Sequence, residues 1–248
     1  MSNLFYNLDD LELEAIEFIK ENLTGIDIIN VGISGGKDSI VTEHLMRRSG
    51  LKYLMTNSVS GLAPPEVMRF LKDNYPDVKF LNTRTSFFKM IPNKNPPARW
   101  SRWCCTELHK KPGKHLKINV FGIRKEESMS RSMYPRVNYV PKFEQTMYYP
   151  ILEWTEIDVW DYIKKYNLPY PALYDEGVSR VGCIICPNHE PKLRGFYRNR
   201  YPVYYRTFER AVKKWYAKRV GQGKQMYHDS PEKFLVDWYN SDVNYYAR

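Results

Sequence analysis

The chain has 248 residues, 43% of them hydrophobic, with 38 Lys and Arg against 28 Asp and Glu for a formal net charge of +10. That length buries a sizeable core in one large domain, or one domain with an appendage. No apolar run approaches a bilayer span, the opening MSNLFYNLDDLELE lacks the basic start of a secretory signal, and four cysteines in such a chain argue for metal or redox chemistry over a disulfide framework, so a cytoplasmic protein is expected. In chain order, Asp9–Leu23 reads as a helix capped near Asp9 or Asp10, with Leu11, Leu13, Ile16, Phe18 and Ile19 as its apolar stripe. Ile26–Ile33 is a β-branched run of the kind a strand buried on both faces shows. Ser34-Gly35-Gly36 ends it, and a helix runs on from Asp38 to about Met46. Lys52–Asn57 and Val78–Leu81 read as strands around a helix over 64–74. Thr83–Arg102, with Pro92, Pro96 and Pro97 among basic residues, has no periodicity and reads as a long substrate-side loop. Cys104–Leu108 is expected to be helical, Ile118–Ile123 a strand, Arg136–Tyr148 polar and irregular, and Glu156–Tyr166 a helix with Ile157, Trp160 and Ile163 inward. The chain after Pro187 reads as helical, broken at Gly221 and Gly223. Strands and helices alternating at this spacing predict a doubly wound, Rossmann-like parallel α/β sheet, residues 1–187, with a helical basic region over 188–248.

Function is expected where the first strand ends. Two glycines let the backbone curl and turn N–H groups inward, the next helix aims its positive dipole end at the same point, and Lys37 adds a full charge. Strand, glycine turn and helix start together form an anion cradle from Ser34, Gly35, Gly36, Lys37, Asp38 and Ser39. A Walker loop does not fit, because Gly32 to Lys37 is one residue short and Asp38 occupies the hydroxyl position. The dinucleotide fingerprint fails at Ser34. The stretch does resemble the PP-loop, SGGxDS, of the adenine nucleotide α-hydrolase superfamily. In that superfamily's ATP pyrophosphatases the loop grips pyrophosphate, and in its sulfonucleotide reductases it holds the phosphosulfate end.

Cys183-Ile-Ile-Cys186 places two thiolates within reach of one ion, whereas the adjacent Cys104 and Cys105 carry diverging side chains, poorly suited to one zinc. An iron–sulfur cluster has several irons and accepts both members of such a pair. A four-cysteine Zn2+ site is the runner-up, and unligated thiols remain open. A Cys-Cys pair, a long gap and Cys-x-x-Cys is similar to the [4Fe–4S] ligand set of assimilatory adenylylsulfate reductases, within the phosphoadenosine phosphosulfate (PAPS) reductase family. Related sets occur in the sulfur-incorporating component of DNA phosphorothioation. Gly122-Ile123-Arg124-Lys125-Glu126-Glu127-Ser128-Met129-Ser130-Arg131 is similar to that branch's GxRxxES..R signature, and Pro150–Trp160, Leu168–Tyr174 and Gly182-Cys183 continue the likeness over roughly residues 25–190.

The resemblance implies site residues. Lys37 would neutralise phosphate charge, and Arg124 and Arg131 would make forked contacts with phosphate or sulfate oxygens. Arg131 alternatively pairs with Glu127 one helical turn away, and Glu127 could orient an arginine. Asp38 would hold Mg2+ if the substrate is ATP, or serve as a dipole partner at its helix start. Ser34 and Ser39 are hydroxyl donors to phosphate, or caps. Gly122 belongs to the nucleotide-binding set, and His109 reads as a surface group beside the cysteines rather than a ligand.

Two departures shape the functional expectation. Sulfonucleotide reductases carry a nucleophilic cysteine in a C-terminal Glu-Cys-Gly-Leu-His tail, whereas this sequence ends NSDVNYYAR, and four cluster thiolates leave no nucleophile. Thr56-Asn57-Ser58 also replaces the usual Asp-Thr-Gly. ATP-dependent sulfur incorporation is therefore the first expectation, with adenylation, release of pyrophosphate and thiolation. A sulfonucleotide reductase, or a nucleotide- and cluster-dependent binding module, is the alternative. From Asn188 to Lys224 eleven Lys and Arg face two Glu, interleaved with Phe196, Tyr197, Tyr201, Tyr204, Tyr205, Phe208, Trp215 and Tyr216. Residues 192–224 read either as a nucleic-acid surface or as a solvated basic face over core aromatics. Expected partners are an adenine nucleotide, a nucleic acid, a sulfur-donor protein and further copies of the chain, with no membrane.

Overall fold

The computed structural model describes residues 7–240, so the readings of the opening six residues and of the sequence end after Asn240 lie outside the described residues. Two compact units are found. The first is built from Met1–Asn57, Pro65–Leu81 and Gly113–Val181, the second from Ser58–Pro64, Asn82–Pro112 and Gly182–Arg248. This differs from the single boundary expected after residue 187. The expected substrate-side loop and both cysteine pairs fall in the second unit, because their apolar neighbours pack there and not on the sheet. Among the described residues no helix is long and apolar enough to cross a membrane.

The sheet comprises β1 (Asn30–Gly32), β2 (Leu54–Val59), β3 (Lys79–Asn82), β4 (Ile118–Val120), β5 (Val137–Val140) and β6 (Gln145–Tyr148), in the order β3-β2-β1-β4-β6-β5. β1 runs parallel to β2 and β4, with Val31 opposite Met55 and Val120, and β6 parallel to β4. β5 runs antiparallel to β6, pairing Val137 with Tyr148. The chain steps outward from β1 to β3 and then returns to β4 on the other side. The topological switch therefore lies between β1 and β4, where ligands of open α/β sheets bind. A buried polar chain fixes the register across that switch. Thr56 Oγ1 donates to Asn30 Oδ1 at 2.9 Å, Asn30 Nδ2 to Asn119 Oδ1 at 2.9 Å, and Asn119 Nδ2 to the Leu116 carbonyl at 2.8 Å. Each buried amide is thus satisfied, and a one-residue slip would break the two bonds that cross between strands.

Helices α1 (Leu8–Leu23), α2 (Lys37–Ser49), α3 (Pro65–Asn74) and α6 (Glu156–Lys165) belong to this unit. Ile19, Leu45, Leu71 and Ile163 from them join Ile29, Val31, Ile33 and Val120 in one core. Asn7 caps α1, two residues before the nearer of the expected caps, and Thr155 and Asp158 form a reciprocal capping box on α6. Three expectations need correction. The first strand is only three residues long, since a bend at Asp27 precedes it and Ile28 is 60% exposed. Arg136–Tyr148 is the β5–β6 hairpin, turned at Glu144 with φ of 50°. Its alternation is hard to see because Val137 and Tyr139 face out on an edge strand. Ile157 is 71% exposed, and α6 buries Val159, Tyr162 and Ile163 instead.

The second unit contains α4 (Phe87–Lys94), α7 (Pro191–Arg200), α8 (Pro202–Gly221) and α9 (Pro231–Asn240). The short α5 (Met129–Ser132), capped by Ser128, belongs to the first. α4 corrects the expected loop. Phe87 and Ile91, one turn apart, are fully buried, and the helix forms although Pro92 removes one of its i→i−4 bonds. Aromatic packing holds the unit together: Phe208 lies 6.4 Å from Phe87 and 4.6 Å from Trp238, and Trp215 5.1 Å from Phe234. Gly221 closes α8, and Gly223 takes a φ of +69°, as expected of helix breakers.

Candidate functional site

The loop after β1 and the segment after β4 meet at the topological switch. Gly35 adopts φ of +80°, which a side chain would strain, and its Cα faces Val67 of α3, 2.7 Å from where a Cβ would lie. Hydroxyls shape the rest of the bend. Ser39 Oγ donates to the Gly36 carbonyl at 2.8 Å and accepts the Ser34 N–H at 3.1 Å, while Ser34 Oγ accepts the Gly36 N–H at 3.2 Å. Ser34 and Ser39 are thus loop-shaping groups in this state. Gly122 is required by the approach of α2: a Cβ there would meet the Asp38 carbonyl oxygen at 2.3 Å.

Lys37 and Arg124 are each only 3% exposed. Lys37 Nζ lies 3.3 Å from Glu156 Oε1, 3.6 Å from Asp38 Oδ2 and 3.4 Å from the Ser179 carbonyl. Arg124 Nε donates to Asp38 Oδ1 at 2.5 Å and Nη1 to Glu126 Oε2 at 2.6 Å. Burial works against the Arg124 charge, and these carboxylates more than offset it, so its pKa lies above the ordinary arginine value. Glu126 also accepts the Glu156 N–H at the start of α6, at 2.8 Å. Glu127 accepts the Arg124 N–H at 3.1 Å and pairs with both Arg131 and Arg180. Of the two roles considered for Arg131, the structure contains the Glu127 ion pair. Asp38 has both oxygens turned toward cations at the first turn of α2, where the helix dipole favours it.

Sequence reasoning therefore located Ser34, Gly35, Gly36, Lys37, Asp38, Ser39, Gly122 and Arg124, and the fold gathers them. It missed Glu156, Ser179, Arg180 and above all Tyr174, whose hydroxyl accepts the Lys37 N–H at 2.9 Å. The available signal was position: Tyr174 ends the Leu168–Tyr174 segment already singled out, and Glu156 opens a capped helix.

All four cysteines lie in the second unit. Cys105–Lys110 forms a π-helical turn, with Cys104 helical just before it. Cys104 and Cys105 are both half-buried. Their mutual influence makes Cys105 the acidic member, its pKa lowered to about 6 with help from Arg102 and Lys110. Cys105, burial and the other cysteines push Cys104 far above the thiol range. Cys183 and Cys186 flank the buried Ile184 and Ile185, and the Ile184 N–H bonds the Leu62 carbonyl at 2.7 Å. Desolvation, then Cys186 and Cys105, pushes Cys183 up to about 12. His109 Nε2 stands 3.4 Å from Cys183 Sγ, and the Ser60 hydroxyl bonds the same sulfur. Among the described residues no three His, Cys, Asp or Glu are drawn closely enough to share one metal ion. The donor set nevertheless suits a cationic group. Cys105, Cys183 and Cys186 raise the Cys104 pKa, and Cys186 and Cys105 that of Cys183, so these thiols cannot all ionise alone, and positive charge among them reverses that penalty.

The basic region resolves differently from its aromatics. Tyr197, Tyr205, Phe208 and Trp215 are buried, and none of the other four aromatics in that window is exposed. They are core residues, not a stacking platform, whereas Arg198, Arg200, Arg206, Arg210, Lys213 and Lys214 face solvent.

Comparison with known proteins accords with this arrangement. An uncharacterized protein of Methanocaldococcus jannaschii is 29% identical over 233 residues, 87% of this chain but 48% of that protein, so the chain spans about half the length of this relative. The adenosine 5′-phosphosulfate reductase of Staphylococcus haemolyticus is 36% identical over 101 residues, 38% of this chain and 42% of that enzyme. In fold, the chain resembles the PAPS reductase of Candida auris with a TM-score of 0.54 at 14% identity, covering 74% of this chain and 97% of that one. That likeness gives the adenine nucleotide α-hydrolase fold. Residues 28–189 match the phosphoadenosine phosphosulfate reductase domain, and the chain belongs to that family.

Proposed function

We propose that the protein is an ATP-using enzyme of sulfur incorporation, binding ATP with its phosphate chain on the Ser34–Ser39 loop. The observation that carries the reading is the buried Lys37 ammonium over a glycine bend at the switch between β1 and β4. An acceptor oxygen attacks the α-phosphorus, the bond to pyrophosphate breaks, and pyrophosphate leaves into the loop. Lys37, the helix start and the loop N–H groups neutralise the charge that develops on it. A sulfur nucleophile of the hydrosulfide class then attacks the acceptor carbon, and AMP leaves with the oxygen. Cys104, Cys105, Cys183 and Cys186 would hold a [4Fe–4S] cluster. Such a group would supply iron with affinity for sulfur. The solvent-facing arginines and lysines of α7 and α8 supply phosphate contacts for a nucleic-acid acceptor, by charge rather than by stacking.

The test is anaerobic purification, iron and acid-labile sulfide analysis, and measurement of pyrophosphate released from ATP with and without nucleic acid. Release that depends on nucleic acid and is lost in Lys37→Ala supports the reading, and no release with any nucleic acid removes it. The similarity to adenosine 5′-phosphosulfate reductase motivates a second reading, reduction of a sulfonucleotide by a thiol supplied from elsewhere. Sulfite formed from adenylylsulfate or its 3′-phosphorylated form with thioredoxin would favour it.

A further inference from the structure

Tyr174 is joined to the loop by its polar end. Its hydroxyl oxygen accepts the N–H of Lys37, the first residue of α2, at 2.9 Å. The Lys37 N–H occupies one lone pair, and among the described residues nothing accepts the phenolic proton. The oxygen stands over Gly36, 3.5 Å from the point where a Cβ would lie, with Ser34 Oγ 3.3 Å from the same point. Lys37 Nζ is 5.7 Å from the centre of the ring. Burial pushes the Tyr174 pKa above the ordinary phenol value, so the hydroxyl keeps its proton throughout the physiological range. A held donor, aimed into the side-chain-free space over Gly36 beside a buried ammonium, meets the requirement of an acceptor-only ligand.

We infer that Tyr174 is a ligand-binding residue, its hydroxyl donating to an oxygen of the phosphate chain seated over Gly36. The inference rests on the proposed use of the loop for ATP and its pyrophosphate, and it adds the tyrosine to the groups that recognise them. The ring is independently packed, edge-on to Trp160 with centroids 5.1 Å apart. Removing the oxygen alone therefore leaves the aromatic scaffold in place.

The experiment is calorimetric titration of inorganic pyrophosphate and of ATP into the unaltered protein, Tyr174→Phe, Lys37→Ala and Tyr170→Phe, with thermal unfolding of each. Tyr170 touches the same tryptophan but sends its hydroxyl to Asp175 at 3.0 Å, so it controls for ring packing. A hydrogen bond to a charged acceptor predicts weaker pyrophosphate binding in Tyr174→Phe by about tenfold or more, with no loss in Tyr170→Phe. Unchanged binding in Tyr174→Phe, with binding lost in Lys37→Ala, overturns the role of the tyrosine and leaves the loop assignment standing. Tighter binding also overturns it, by showing that the hydroxyl competes with the ligand for the Lys37 N–H. If the unaltered protein binds neither compound, the assignment of the loop itself falls. Should Tyr174→Phe unfold, the ζ-carbon resonance of Tyr174 in tyrosine-labelled protein decides: a shift on adding pyrophosphate supports the bond, and an unmoved resonance refutes it.

Discussion

Replacing Gly122 with alanine tests whether the site depends on the close approach of α2 to the chain after β4. The new Cβ would lie 2.3 Å from the Asp38 carbonyl oxygen, 2.5 Å from its carbon and 2.8 Å from Thr42 Oγ1. The first contact is more than about 1 Å inside the optimal separation of about 3.5 Å. Two of the three atoms are backbone, so no rotamer change relieves the overlap. The third is held by the Thr42 hydroxyl bond to that same carbonyl, at 2.8 Å. The strand end and the first turn of α2 must move apart, at a cost of about 1–3 kcal/mol. The movement displaces Asp38 from Arg124 and Lys37 from the loop. Urea unfolding and pyrophosphate titration should both report it, with lower stability and at least about tenfold weaker binding, a loss of roughly 1.4 kcal/mol. Gly36→Ala is the informative partner. Its Cβ would approach only Ser34 Oγ at 3.3 Å and Tyr174 Oη at 3.5 Å, so it should fill the cradle and weaken binding while leaving stability nearly unchanged. Gly122→Ala protein with parental stability and affinity would refute the reasoning, because it would mean that the two segments are not locked in register.

Three further outcomes follow from the same geometry. His44 is held neutral by burial, its pKa lowered to about 4. Arg47 on its own helix works in the same direction, Tyr162 of α6 lies edge-on to the ring with its hydroxyl 2.8 Å from Nδ1, and Tyr166 is tilted against it. The unfolded chain takes up this proton near pH 6.5 and the folded one only near pH 4. Stability is thus lost as pH falls through that window, by about 1 kcal/mol between pH 7 and pH 5 after allowing for partial exposure. His44→Gln should flatten that part of the urea-denaturation profile. Glu156→Gln removes the carboxylate 3.3 Å from Lys37 Nζ, and metal-free pyrophosphate should bind about threefold to fivefold tighter, the effect of one exposed ion pair. Weaker binding would place Glu156 among the ligand's own contacts. Reversing Arg206, Arg210 and Lys214 to Glu should leave thermal stability unchanged, since all three face solvent. It should lower nucleic-acid affinity and the steepness of its salt dependence, as read by fluorescence anisotropy.

The bend was legible because its chemistry is local. Gly35 and Gly36 after a β-branched run, followed by Lys37 and Asp38, can be read from six consecutive residues. Gly122 and Arg124 were legible only through the family resemblance, since nothing in their own neighbourhood says that α2 will pass within van der Waals range. Tyr174 was illegible for a related reason: its partner is 137 positions away, and a tyrosine among Leu173, Tyr170 and Pro171 reads as packing. The α4 helix was hidden by Pro92 and two more prolines, although Phe87 and Ile91 at one-turn spacing carried the signal. The β5–β6 hairpin was hidden because an edge strand need not alternate in hydrophobicity when one of its faces is open. The division of the chain is three-dimensional, since three separated stretches share one aromatic core, and no composition shift marks such joins.

Net charge is a poor guide to how the loop meets an anion. Lys37, Arg124, Arg131 and Arg180 stand around it, and so do Asp38, Glu126, Glu127 and Glu156, each cation already facing a carboxylate. A phosphate chain therefore enters a neutral patch and binds by exchange, displacing carboxylates rather than filling an uncompensated positive site. The pairs are not equal in this exchange. The Glu156 side chain is 49% exposed, so parting it from Lys37 costs little, in the range of about 0–1 kcal/mol for a solvated pair. The Arg124–Asp38 pair is 4% and 16% exposed, and breaking it would leave a buried charge alone, at a cost of about 3–5 kcal/mol. Arg124 consequently keeps Nε and one Nη1 N–H on Asp38 and Glu126, which leaves the second Nη1 N–H and Nη2 to meet a ligand. Its main task becomes holding the start of α2 against the chain after β4, so that Lys37, whose carboxylate is the easily displaced one, is the cation that moves onto the phosphate.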